Sequence, residues 1–133
     1  MTYFLIAIGS ALGGMSRYGA SRAIAIWMGE TFPWGTLAVN IVGSFIIGFF
    51  AAISGPESRL IVSPDLRQFV MIGFCGGFTT FSSFSLQTLE LIRNGDIYEA
   101  SANIALSVIT CIVAVVFGFF AAGMVNATPG FGR

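Results

Sequence analysis

The stretch Gly73-Phe74-Cys75-Gly76-Gly77-Phe78-Thr79-Thr80-Phe81-Ser82-Ser83-Phe84 decides the fold, because it places helix-weakening residues inside a long apolar run. Its adjacent glycines and its Thr-Thr pair fall where the hydrocarbon of a bilayer would be deepest. Non-helical backbone at that depth persists only where protein or a water-filled cavity shields its amide and carbonyl groups. Carbonyls freed by such a break are oxygen ligands, which discontinuous membrane helices use to hold Na⁺. The stretch therefore predicts a broken helix, with the break centred on Gly76–Thr80, and an ion site or an ion path there.

The whole chain has the composition of a membrane protein. Of its 133 residues, 56% are hydrophobic and 9% are charged, whereas charged residues make up about 25% of a soluble domain. A spanning helix needs about 20 largely apolar residues, and four segments qualify, at 3–28, 35–53, 69–92 and 100–125. We therefore expect one all-α transmembrane domain over residues 1–133, with four helices and the third broken near its middle.

The titratable residues favour passive conduction over proton exchange. Histidine and lysine are absent, and Glu90, the acid nearest to the middle of a span, lies within a turn of Arg93. A proton-coupled drug exporter of this size would need an embedded acid in the first helix, and residues 3–28 contain none. A non-conducting scaffold subunit would need only glycine packing motifs, which leaves the break unexplained. We expect neither an enzyme nor a nucleic-acid partner.

The arginines give little indication of how the chain is oriented in the membrane. The N-terminus, the 54–67 loop and the C-terminus share one predicted face, and the 27–34 and 93–99 loops share the other. Three arginines belong to each face, so the positive-inside rule has almost nothing to act on. The chain could insert both ways up, so that two copies pair antiparallel, or a few charges could still settle one topology. The two sets are Arg59, Arg67 and Arg133, and Arg22, Arg93 and, further inside, Arg17.

Several polar or aromatic residues in the spans have both a structural and a functional interpretation. Asn40 could form a hydrogen bond between helices, or its amide could donate to an anion. Phe81 and Phe84, at i and i+3, could pack, or could present their electropositive ring edges to an anion. Arg17 could extend to the interface or line a vestibule that concentrates anions. Ser107 lies on a polar face of the fourth helix, which is either a packing surface or the far wall of a polar track.

The opening stretch closely resembles the helix-three signature of the small fluoride channels, the Fluc or CrcB family. Two further motifs match in order and spacing, Gly13-Gly14-x-x-Arg17-Tyr18 in the first helix and Gly35-Thr36-Leu37-x-x-Asn40 in the second. The resemblance covers essentially the whole chain. It implies a fluoride-selective channel of the cell inner membrane, which exports fluoride passively as an antiparallel homodimer with two pores.

The resemblance also implies roles for particular residues. Backbone carbonyls of Gly76 and Thr79 would hold a structural Na⁺ at the dimer centre. Gln87 stands where relatives often carry a glutamate, so this position offers a neutral amide instead of a carboxylate. The ion pathway would comprise Asn40, Phe81, Phe84, Ser82, Ser83, Gln87, Ser107 and the vestibule residue Arg17.

Overall fold

The computed structural model describes residues 1–55, Ser58 and 61–127, and these residues are helical apart from short connections. Helix α1 covers Thr2–Met28 and α2 covers Trp34–Ile53. The third span, Pro64–Asn94, is divided into α3 at 64–78 and α4 at Phe81–Asn94. Helix α5 covers Ile97–Ala127. Arg59 and Arg133, used in the topology argument, lie outside the described residues.

The predicted membrane architecture is confirmed for three of the four spans. Among the described residues, Trp34–Ile53, Pro64–Asn94 and Ile97–Asn126 are long and apolar enough to cross a bilayer. Helix α1 has 27 residues and is therefore about 40 Å long. Arg17, Arg22 and several serines make it less apolar than the others. The third and fifth helices begin before the predicted spans, because polar residues at their ends extend the helix beyond the apolar core.

The break in the third span is narrower than the sequence indicated. Ser63 caps the start of α3 by accepting a hydrogen bond from Leu66 N–H at 3.3 Å. The helix then passes through a π-helical segment, Phe69–Cys75, and continues through Gly76–Phe78. Only Thr79 (φ −85°, ψ 158°) and Thr80 (φ −153°, ψ 115°) are extended. The expected break at 76–80 is therefore corrected to Thr79–Thr80, with Gly76 and Gly77 helical.

Gly77 belongs to a close contact between α1 and α3. A Cβ on Gly9 would lie 2.7 Å from the carbonyl oxygen of Phe69, and a Cβ on Gly77 would overlap the carbonyl oxygen of Ser10. Gly13 and Gly73 also face the backbone of the opposite helix, and Gly13 is the more confined of the two. Both helices thus present glycines four residues apart, the spacing that lets membrane helices approach closely.

Helix α2 lies at the centre of the fold and packs against α1, α3, α4 and α5. Its contact with α5 is also close, because Gly48 faces the backbone of Val115 and Gly118 faces the backbone around Phe45 and Phe49. At one end of the bundle, Thr2 Oγ1 donates to Asp65 Oδ1 at 2.9 Å and Ser58 Oγ donates to Asn126 Oδ1 at 3.2 Å. The N-terminus, the second connection and the end of α5 therefore share one face, as predicted.

We predict that Gly13→Ala destabilises the fold whereas Gly14→Ala does not. A Cβ on Gly13 would lie 2.8 Å from Phe78 N and closer still to the Phe74 carbonyl oxygen, while nothing lies within 4 Å of a Cβ on Gly14. Overpacking of this kind costs about 1–3 kcal/mol. The two substitutions are at adjacent positions of the same helix, so the melting temperatures of the two variants in detergent can be compared directly. Equal melting temperatures for the two variants would contradict the packing assigned to α1 and α3.

Candidate functional site

The break between α3 and α4 is held by a pair of hydrogen bonds from α2. Asn40 Nδ2 donates to the carbonyl oxygen of Thr80 at 3.0 Å, and Thr80 N–H donates to Asn40 Oδ1 at 2.7 Å. The side-chain amide thus pairs with the backbone of Thr80 much as a neighbouring peptide group would. Buried backbone groups without partners are costly, and this pair satisfies both backbone groups of Thr80, the residue that caps the start of α4.

The same pair frees backbone carbonyls at the end of α3. In an uninterrupted helix the N–H of Thr80 would donate to the carbonyl of Gly76, but here it donates to Asn40. The N–H and the hydroxyl of Thr79 both donate to the Cys75 carbonyl at 2.9 Å, so the Thr79 side chain is directed back along its own helix. Among the described residues, the carbonyl oxygens of Gly76 and Thr79 have no hydrogen-bond donor. They are available as oxygen ligands.

Thr80 also organises the hydroxyls at the start of α4. Its Oγ1 accepts from Ser83 N–H at 3.1 Å, which is the standard cap of a helix N-terminus. It donates to Ser83 Oγ at 3.1 Å and lies 3.2 Å from Ser82 Oγ. The predicted residues Ser82 and Ser83 are therefore clustered around Thr80. Thr80 itself was not among the residues predicted for the site.

Arg17, on α1, contacts the C-terminal end of α3. It does not line the cavity that is described below. Its Nε donates to the Gly77 carbonyl oxygen at 3.2 Å, so the half-buried guanidinium faces the carbonyl end of that helix. A cation there is favourable because the last carbonyls carry partial negative charge. The bond reduces the cost of placing an arginine inside a span. The interfacial and vestibule interpretations of Arg17 stay open, and its contribution to an ion path remains a prediction.

A cavity of about 390 Å³ adjoins the break. It brings together residues from α2, both halves of the third span and α5. Six predicted site residues line it, namely Asn40, Gly76, Thr79, Phe81, Phe84 and Ser107, together with the unpredicted residues Thr80 and Ser44. Residues predicted separately on three different spans therefore meet in one place.

Phe81 and Phe84, the two phenylalanines predicted for the ion pathway, differ in burial. Their ring centroids are 5.2 Å apart and their planes are inclined by 48°. Phe84 is 9% exposed, whereas Phe81 is 77% exposed in the single chain. The predicted shared helix face is thus confirmed, and Phe81 has most of its ring available to something outside this chain.

Ser107 belongs to a buried polar network between α4 and α5. Its Oγ donates to Asn103 Oδ1 at 3.4 Å, and Asn103 Nδ2 donates to Thr88 Oγ1 at 2.9 Å. Thr88 Oγ1 in turn donates to the Phe84 carbonyl oxygen at 2.7 Å. The polar face predicted for the last helix therefore both packs against α4 and borders the cavity.

Gln87 lies away from the break, near the opposite face of the bundle. It borders a cavity of about 340 Å³ that also contains Arg22 and Ser21. It also borders a cavity of about 830 Å³ whose wall carries four carboxylates. Gln87 Oε1 is buried and has no hydrogen-bond partner among the described residues. The carboxylates are Glu30, Glu90, Asp96 and Glu99.

The cysteines do not form a metal centre with other side chains. Cys75 and Cys111 are both free thiols that line the cavity at the break. In the part of the chain that the structure describes, no group of three or more His, Cys, Asp or Glu residues could hold a metal ion. A cation at the break would therefore rely on carbonyl oxygens, which suit hard ions such as Na⁺.

These features define a small helical membrane protein whose third span is interrupted beside a polar cavity. A family model described as "CrcB-like protein, Camphor Resistance (CrcB)" matches residues 4–119. With most of its length matched, the chain belongs to the CrcB family, as the sequence motifs predicted.

Curated relatives extend the similarity over nearly the full length. A protein of Opitutus terrae is 55% identical over 128 residues, covering 96% of this chain and 97% of the relative. A protein of Methylocella silvestris is 52% identical over 130 residues, covering 98% and 99%. A third, of Rhodospirillum rubrum, is 51% identical over 126 residues, covering 95% and 98%. Each of the three is named "Fluoride-specific ion channel FluC".

We predict that Asn40→Asp and Asn40→Ala both weaken the break. Aspartate keeps an acceptor for Thr80 N–H but turns a carboxylate oxygen toward the Thr80 carbonyl, and alanine leaves both backbone groups unpaired. An unsatisfied buried group costs about 1–3 kcal/mol, so melting temperatures in detergent should fall for both variants. Ser85→Ala serves as the control, because the exposed Ser85 hydroxyl bonds only to the Phe81 carbonyl of its own helix. Wild-type stability in both Asn40 variants would show that the pair is not needed.

Proposed function

We propose that the chain is a fluoride channel that lets the anion leave the cell passively across the inner membrane. Support comes from full-length relatives that carry this name and from the cavity that Asn40, Phe84 and Ser107 share. The prediction that the chain is not an enzyme is confirmed by the same relatives, which are named as ion channels. In acidic surroundings fluoride is protonated to neutral HF, which crosses the membrane into the cell and dissociates there, so a passive exit for the trapped anion suffices.

The chemistry of the break suits a small, strongly hydrated anion. Fluoride loses its water in a narrow path only if the path replaces it with hydrogen-bond donors. The hydroxyls of Ser82 and Ser83 and the second N–H of the Asn40 amide can supply donors. The first backbone N–H groups of α4, at Phe81 and Ser82, have no partner within the helix and favour anions. The edges of the Phe81 and Phe84 rings add partial positive charge.

The position of the positively charged Arg17 side chain also matters for conduction. Selective conduction needs binding that is favourable enough for entry and weak enough for release. Arg17 is bonded to the Gly77 carbonyl and does not line the cavity. A full positive charge is thereby kept out of the narrow part, where it would bind fluoride too tightly, while it still offsets the negative end of α3.

The functional unit in this proposal is an antiparallel homodimer with two pores. The single chain leaves Phe81 mostly exposed, and a Cβ on Gly76 would meet no atom of its own chain within 4 Å. A second copy would cover this surface and complete the wall of the cavity. The even division of arginines between the two faces supports insertion in both orientations, which antiparallel pairing requires.

A structural Na⁺ at the dimer centre fits the carbonyls of the break. Gly76 and Thr79 each offer a carbonyl oxygen without a donor, and both residues line the cavity. Two oxygens from one chain are too few for a hard cation, but two copies related by a twofold axis would supply four. Such an ion would offset the cost of burying unpaired carbonyls.

The proposed function predicts selective transport. Purified protein in liposomes should release fluoride down its gradient and reject chloride, without proton coupling, because the chain contains no histidine and no mid-span acid. A fluoride electrode and a chloride electrode measure the two effluxes from identical vesicles. Equal efflux of both anions, or none above empty vesicles, would overturn the assignment.

We also predict that Phe81→Ile and Phe84→Ile reduce fluoride flux by about tenfold or more, equivalent to about 1.4 kcal/mol of barrier. Isoleucine keeps much of the bulk and removes the electropositive ring edge. Phe119→Ile on the exposed side of α5 is the matched control, because its ring is 53% exposed and lies outside the cavity. Wild-type flux in both pore variants would leave the two rings with a packing role only.

The substitution Gly76→Val tests the proposed dimer and the proposed Na⁺ site. A Cβ on Gly76 has nothing within 4 Å apart from its own stretch of helix, so a loss of dimer or of Na⁺-dependent flux in Gly76→Val that Gly123→Val does not share is attributed to contacts beyond this chain. Gly123→Val is the control, because Gly123 is equally open. We expect Gly76→Val to abolish antiparallel cross-linking and flux, and Thr79→Ser to be tolerated. If Gly76→Val cross-links and conducts like the wild type, with no need for Na⁺, the central site is wrong.

A further inference from the structure

Helices α4 and α5 run antiparallel after the turn at Gly95 and meet along one buried edge of each. Steps of three and four residues keep each edge on a single helix face. At the end nearest the break, Phe84 and Ser107 both border the cavity. The two edges, all at most 9% exposed, are Phe84, Thr88 and Leu91 on α4, and Ala100, Asn103 and Ser107 on α5.

A continuous series of hydrogen bonds connects these two cavity walls through the interior. It runs from Ser107 Oγ to Asn103, from Asn103 to Thr88, and from Thr88 to the carbonyl oxygen of Phe84. Asn103, in its middle, is 1% exposed and does not line the cavity. The network thus begins and ends at residues predicted for the ion pathway, whereas Asn103 and Thr88 between them do not line the cavity.

The bonds in the series differ in length. The Asn103–Thr88 and Thr88–Phe84 bonds are 2.9 and 2.7 Å, within the ordinary range. The Ser107–Asn103 bond, at 3.4 Å, is longer than hydroxyl bonds usually are. Asn103 therefore holds the α4 side firmly, whereas the Ser107 hydroxyl is held weakly and can turn to a stronger acceptor in the cavity.

We propose that Asn103 is a positioning residue of the ion path. Through Thr88 it fixes the backbone of Phe84 relative to α5, and its Oδ1 accepts a hydrogen bond from the Ser107 hydroxyl until an anion in the cavity competes for that hydroxyl. A path kept narrow in this way excludes larger anions, so the network contributes to selectivity as well as to flux. This inference rests on the proposed fluoride conduction.

The test compares variants that keep shape but remove the bonds. Asn103→Leu removes both bonds of the amide, and Thr88→Val replaces the hydroxyl with a methyl group. Thr88→Ser restores the hydroxyl. Thr110→Val is the matched control, because Thr110 makes the same type of bond to its own helix on the exposed side of α5. Fluoride and chloride efflux from liposomes give the permeability ratio, and size-exclusion chromatography reports folding.

We expect Asn103→Leu and Thr88→Val to elute as folded protein and to lower the fluoride-to-chloride permeability ratio by about tenfold. Thr88→Ser and Thr110→Val should keep the wild-type ratio. Folded variants with an unchanged ratio overturn the proposal, and so does a loss of folding in both, which would show a purely structural role. If only one of the two variants folds, a lowered fluoride-to-chloride permeability ratio in that variant supports the proposal and an unchanged ratio overturns it. Absence of fluoride flux in the wild type would instead overturn the proposed function, so the two failures are distinguishable.

Discussion

The amide of Asn40, bonded to both backbone groups of Thr80, is the interaction on which the rest of the site depends. A helix break inside a membrane span leaves N–H and C=O groups without partners, in surroundings that offer no water to replace them. One asparagine from the neighbouring span supplies a donor at 3.0 Å and an acceptor at 2.7 Å. Because Thr80 N–H is engaged there, the Gly76 carbonyl is left free, and α4 can begin with its own hydroxyl cap.

The break consequently separates groups of opposite polarity by only two residues. Free carbonyls end α3, where Arg17 already compensates part of their negative charge, and hydroxyls and amide N–H groups begin α4. Carbonyl oxygens attract cations, whereas N–H and O–H groups attract anions. A structural cation and a permeating anion can therefore occupy neighbouring positions without sharing ligands. The arrangement is compatible with the proposed Na⁺ at the centre of the proposed dimer and with the proposed fluoride path beside it.

Local patterns predicted most of this architecture, and long-range contacts account for what they missed. The apolar runs of about 20 residues predicted the spans, and the Thr-Thr pair predicted the position of the break. Gly77 was assigned to the break, but it is held in the helix because α1 approaches its backbone, a contact that no local pattern reveals. Thr80 was predicted as part of the break but not as a site residue, because its bonds to Asn40 join positions 40 residues apart. A threonine preceding Phe-Ser-Ser was nevertheless a recognisable helix cap.

The charges of a single copy are distributed unevenly, which bears on why the proposed dimer is antiparallel. The cavity on the face beside Gln87 carries four carboxylates, which would repel an approaching anion from that side. A parallel dimer would present all eight of these acids on one side of the membrane and oppose fluoride entry there. Antiparallel pairing places one acidic face on each side, so that neither entrance is favoured.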